Sequence, residues 1–151
     1  MTRDEVIAMT DAELRIKAGP LAGWHFHVIR YEETRPASRG WTRSISCDSI
    51  NDLCDLPDYL HDISAAMELA EIAYSYGGLL FDVGRVHDDP TKWHADFFLL
   101  NPVCPGNEPF NELSPFYRML GGSPEKAITR AFVMAMTSKE SDEGELVTDT
   151  G

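Results

Sequence analysis

Apolar positions along the chain follow helical spacing in some stretches and strict alternation in others. From Leu56 to Gly78, the residues Tyr59, Ile63, Ala66, Met67, Ala70, Ala73 and Tyr74 recur at three- and four-residue intervals, which predicts one buried helical face. Pro57 suits the first turn, where its missing N–H costs nothing, and Asp58 and Asp62 place negative charge at the positive end of the helix dipole. Gly77 and Gly78 end the helix, since glycine adopts the left-handed cap without a Cβ penalty. This helix is expected to organise the fold, with Ile63 and Met67 buried. A second helix begins at Ser123–Pro124 and carries Ala127, Ile128, Ala131, Phe132, Ala135 and Met136 on one face, to about Ser138. Thr2 to Glu5 and Thr10 to Glu13 both match the capping-box pattern. They predict either one helix with an alternative start, or a short turn followed by a helix from Asp11 to Ala18 that Gly19–Pro20 stops.

Alternation marks the strands. Trp24–Tyr31 sets Trp24, Phe26 and Val28 against His25, His27 and Ile29, and Trp41–Ile45 sets Trp41, Arg43 and Ile45 against Thr42 and Ser44. Leu79–Val86 and Lys92–Leu100 follow, joined by the hairpin-like His87–Pro90. The later strand sets Trp93, Ala95, Phe97 and Leu99 against His94, Asp96 and Phe98, and Gly84 marks a bulge or a close backbone approach. Glu32–Gly40, Ser46–Asp55 and the proline-rich Asn101–Pro109 read as loops, and Phe110–Leu120 as a short helix or ordered loop. Short links without βαβ spacing argue for an α+β fold in which an antiparallel β-sheet of four or five strands is sandwiched between α-helices. A single domain over residues 1–138 and an acidic flexible tail over 139–151 complete the expectation.

Composition narrows the function classes. The 151 residues are 43% hydrophobic and 10% aromatic, values of a globular chain. A net charge of −12 argues against binding a nucleic acid polymer or an anionic membrane surface, and permits a basic protein partner or a small local basic pocket. No apolar run approaches the ~20 residues of a membrane span, and the acidic, helical start is unlike a signal peptide, so a cytoplasmic protein is expected. Cys47, Cys54 and Cys104 form no CxxC pair and read as reduced thiols.

Catalytic chemistry finds little support in the residue pattern. Cys104 has no His or Lys beside it, and Asp48, Asp52 and Asp55 near Cys47 and Cys54 would raise a thiol pKa rather than activate it. There is no G-x-S-x-G, phosphate loop or dinucleotide fingerprint. His25-x-His27 and His94-x-Asp96 have the spacing of metal ligands on a strand face, and the four would converge if their strands were neighbours. Alternating strands produce polar faces routinely, so no catalytic residue, metal or cofactor is expected. The arginines suggest ligand binding instead. Arg30, Arg35, Arg39 and Arg43 crowd together near Tyr31 and Trp41, Arg118 follows Tyr117, and Arg130 lies on the last helix. Arginine binds phosphate bidentately and aromatic rings stack on bases. Arg39, Trp41, Arg43, Trp93, Arg118 and Arg130 are therefore the candidate contacts for a phosphate-bearing ligand, although Trp41 and Trp93 suit core or sheet packing better than recognition.

Several of these features together resemble a known family. They are the N-terminal MT-x-x-E with a second T-D-A-E-L, Gly23-Trp24 opening a strand, and Leu56-Pro57-Asp58-Tyr59 with Asp62-x-x-Ala65-Ala66. Trp93-x-Ala95 and the closing Pro124-x-x-Ala127-Ile128-x-Arg130-Ala131 complete the set. The ordered set, over residues 2 to 137, resembles the phage ABA sandwich domain family. Asn101–Gly122 looks like an insertion in that pattern and the acidic tail like an extension. The resemblance implies a phage or prophage origin, a helix–sheet–helix sandwich and no catalytic residues. More loosely, the chain is similar to small oligomeric phage anti-defence proteins that act as sponges for cyclic nucleotide or cyclic ADP-ribose immune signals. The expected function is thus non-enzymatic sequestration of a small nucleotide-derived host signal by a homo-oligomer. The alternatives are an acidic inhibitor of a host protein and, third, a metal-dependent enzyme using His25 and His27.

Overall fold

A computed structural model describes residues 1–47, 49–100 and 113–149, with side chains at 100, 113–115 and 139–149 left aside. The expected loop at Asn101–Pro109, with Cys104, lies outside the described residues. Both capping boxes form, each with its own helix: α1 (Arg3–Ala8) behind Thr2 and α2 (Asp11–Leu21) behind Thr10. Gly19–Pro20 does not stop α2, which runs on to Leu21; the Ala22 N–H closes it on the Ala18 carbonyl at 2.9 Å, and the chain turns at Ala22 and Gly23. The strands β1 (His25–Ile29) and β2 (Ser38–Thr42) form an antiparallel hairpin, and β3 (Leu80–Arg85), β4 (Trp93–Leu100) and β5 (Leu113–Gly121) form a three-stranded antiparallel sheet. The helices α3 (Ile63–Gly77) and α4 (Pro124–Asp149) complete a single α+β domain. The strands are all antiparallel, as expected, but belong to two sheets rather than one.

Further expectations change. β2 starts at Ser38, inside the expected loop, and Arg43–Ile45 lie beyond its end, with Ile45 84% exposed. The reason is Gly40: a Cβ there would meet Leu53 Cβ at 2.7 Å, so only glycine lets the Leu53–Cys54 segment bridge to Trp41. From Leu113 on, the expected short helix or ordered loop is instead β5, an edge strand, which is where a sheet tolerates a proline such as Pro115. α3 starts at Ile63 rather than in the Leu56–Pro57 turn, because the Asp62 carboxylate accepts the Ser64 N–H at 2.9 Å and caps the helix there. Its buried face is Ala65, Ala66, Leu69, Ala70 and Ala73, whereas Ile63 is 44% and Met67 39% exposed, against expectation. Tyr59 is buried, but from the turn before the helix. Gly78 does end α3 in the left-handed conformation, at φ 66°.

The organising element is α4, not α3. It packs on α1, α2 and α3 and on all three strands of the larger sheet. Ala127, Ile128, Thr129, Ala131, Phe132, Val133 and Ala135 are all fully buried, so this part of α4 is apolar nearly all round, as a helix inside a core must be. Ser123 caps it, its Oγ accepting the Lys126 N–H at 3.2 Å. Buried side chains run along it as far as Thr137, and the helix itself continues to Asp149. Ala95 and Phe97 of β4 and Met119 of β5 face the core, and Phe97 meets Phe132 edge-on, with ring centroids 6.4 Å apart. Among the described residues no helix is long and apolar enough to cross a membrane.

Candidate functional site

The structure disperses the six candidate contacts. Arg39 and Trp41 share one face of the small hairpin with Val28 and Phe26, and the Phe26 and Trp41 rings lie 5.2 Å apart. Arg43 is turned away from them: its guanidinium stands 4.6 Å over the Trp24 ring, 3.8 Å from Glu68, and donates to the Ala22 carbonyl. Arg118 belongs to the outer face of the larger sheet. Trp93 pairs with Gly121 across the ladder beneath the Arg85 guanidinium, 5.0 Å from its ring centroid. Arg130 sits in the first turns of α4. Of the neighbouring arginines, Arg35 is engaged with Glu32 at 3.2 Å.

Arg130 leads to a cavity of about 290 Å³ that it lines together with Arg3, Ile7, Lys92 and Leu120–Gly122. Three separate elements bring the cations there. The Thr2 capping box sets Arg3 on the first turn of α1. The turn after β3 holds Lys92, whose N–H donates to the Asp89 carbonyl at 3.0 Å while its carbonyl accepts from Val86. Gly121 lets the end of β5 run against α4, since a Cβ there would come within 2.7 Å of the Ala127 nitrogen. Arg130 then ties α1 and the end of β5 to α4, donating from Nη1 to the Leu120 carbonyl at 2.8 Å and from Nη2 to the Ile7 carbonyl at 3.3 Å. Its Nε is buried with no hydrogen-bond partner among the described residues. Burial lowers the Arg130 pKa from its ordinary value, with Asp11 opposing, but a guanidinium so placed stays charged at neutral pH. Three cations beside the apolar Ile7 and Leu120 suit a small anion with a less polar body. Sequence reasoning reached Arg130 but missed Arg3 and Lys92, which lie far from it in the chain and carry no local motif.

A second group occupies the larger sheet. The register aligns Asp82, Asp96 and Arg118 in one row across β3, β4 and β5, with His94 in the next row. Asp96 is 2% exposed, and Arg118 grips it bidentately, Nε to Oδ1 at 2.7 Å and Nη2 to Oδ2 at 3.0 Å. The hydrogen bond to Asp96 raises the Arg118 pKa above its ordinary value. The condition under which His25 and His27 would join His94 and Asp96 is not met, because β1 pairs with β2 and not with β4. His27 Nε2 lies instead 2.8 Å from Thr42 Oγ1.

Comparison with protein-family models, with curated protein sequences and with solved structures finds no match.

Proposed function

We propose that this chain is a non-enzymatic binding protein that captures a small phosphate-bearing ligand of nucleotide type, with the Arg3–Lys92–Arg130 cavity holding its anionic part. The observation that carries the reading is that three cationic residues line one cavity in a chain of net charge −12, Arg130 with a buried donor left over and Lys92 with its ammonium 3.9 Å from Asp89 Oδ2. Placing charge this way requires a purpose, because the surrounding field repels anions at longer range. The lining supports capture rather than turnover: arginine, lysine, isoleucine, leucine and glycine offer neither a nucleophile nor a general base suited to neutral pH. The resemblance to small phage proteins adds the context of a sponge for a nucleotide-derived host immune signal. Exposed Phe26 and Val28 beside Trp41 favour a homo-oligomer, which light scattering tests.

The test is calorimetric titration of cyclic nucleotides and cyclic ADP-ribose isomers against the wild type, Arg3→Ala and Lys92→Ala. Binding should weaken by ~1.5–3 kcal/mol for each charged hydrogen bond lost. Ligand released by denaturation should be chemically unchanged. If the wild type binds no member of the panel, or if both variants bind as the wild type does, the reading fails.

A further inference from the structure

We infer that Asp82, His94 and Asp96, on the outer face of the three-stranded sheet, form a binding site for a divalent transition-metal ion. One ligand atom from each lies within 4.8 Å of the others. The ring of His94 supplies the sharper evidence. Its Nδ1 is shut off from solvent and lies 3.1 Å from Asp96 Oδ2, yet it makes no hydrogen bond among the described residues. At that distance a missing bond means a wrong angle: the nitrogen's axis passes beside the oxygen. Two donors bound to one ion at about 2.0–2.2 Å each stand roughly 3.0–3.5 Å apart, with both axes aimed at a point between them.

Neighbouring residues hold this arrangement. Gly84 lies opposite His94 in the ladder, and a Cβ there would come within 3.1 Å of Nε2, so the absence of a side chain lets the ring lie down over β3. Arg118 fixes the Asp96 carboxylate from one side, as outer-shell partners of metal ligands do, and leaves lone pairs on both oxygens for other use. Asp82 is exposed, so its side chain is free to swing the last distance inward. With a neutral imidazole the two carboxylates and one guanidinium sum to a single negative charge, which suits a dication. One nitrogen and carboxylate oxygens favour Zn²⁺ or Mn²⁺ over Mg²⁺, which prefers an all-oxygen shell. The site shares no residue with the anion cavity, so neither proposal depends on the other.

The full chain, stripped with a chelator, is titrated calorimetrically with zinc chloride, manganese chloride and magnesium chloride in turn. Zinc or manganese should bind at one ion per chain, and more tightly than magnesium. Asp82→Asn and His94→Gln should each weaken binding at least tenfold, while the double variant His25→Ala/His27→Ala should leave it unchanged. Should His94→Gln fail to fold, Asp82→Asn and the imidazole NMR signals of wild-type His94 during the zinc titration decide the matter, a shift at His94 being expected. The inference is overturned if neither zinc nor manganese binds, if Asp82→Asn binds as the wild type does, if the His94 signals stay still, or if losing His25 and His27 abolishes binding.

Discussion

Replacing Arg118 with alanine tests whether the outer face of the sheet is organised around a buried charge. Asp96 is 2% exposed and both its oxygens are held by Arg118. After the substitution the carboxylate stays in the middle strand without its fork of donors, and water reaches it only through the space the guanidinium leaves. Removing one partner of a fully buried pair costs about 3–5 kcal/mol. The Arg118 side chain is 49% exposed, so water already screens one side of the pair, and the expected destabilisation falls to about 2–3 kcal/mol. Urea denaturation in chelator-containing buffer at neutral pH measures it, with an unchanged slope showing that compactness is preserved. The double variant Arg118→Ala/Asp96→Asn should recover part of the loss, because an amide needs no countercharge. A loss below about 0.5 kcal/mol, the level of an ordinary surface substitution, would refute the argument, as would a double variant no more stable than Arg118→Ala.

Two further predictions concern α3 and the turn before it. Leu69→Ala should cost ~2–5 kcal/mol in denaturant unfolding because Leu69 is fully buried, whereas Met67→Ala, at 39% exposed, should cost under ~1 kcal/mol; equal losses would mean that the buried face is misplaced. The Asp58 carboxylate is held below its ordinary value of 3.8, chiefly by its hydrogen bond with His61, so its contribution to stability is present above that pH and is lost as pH falls through the lower folded value. His61→Ala should bring the Asp58 carboxyl titration, followed by NMR, back toward 3.8, and an unmoved titration would show that His61 is not the cause.

Local signals in the sequence were sufficient wherever a few adjacent residues settle the outcome. The two capping boxes, the Ser123–Pro124 start, the Gly78 cap and the β3–β4 hairpin could all be read directly, since each satisfies its own backbone groups within one or two turns. The α+β class followed from their order. Tertiary structure decided what depends on distant partners. The face α3 buries turned on the Asp62 cap and on packing against α4, so Ala66, Ala70 and Ala73 of the expected face are buried, while Ile63, Met67 and Tyr74 are exposed and Ala65 and Leu69 take their place. β5 exists because an edge strand can hold a proline that a central strand cannot. The crowded arginines came apart because neighbours in sequence leave a strand on opposite sides or beyond its end, as Arg39 and Arg43 do. Arg3, Lys92 and Arg130 meet for the converse reason: the close approach at Gly121 and the packing of α1 on α4 bring three remote segments to one point. Asp82 joins His94 and Asp96 in the same way, through a strand register that is set by pairing across the whole hairpin and has no signature at any single residue.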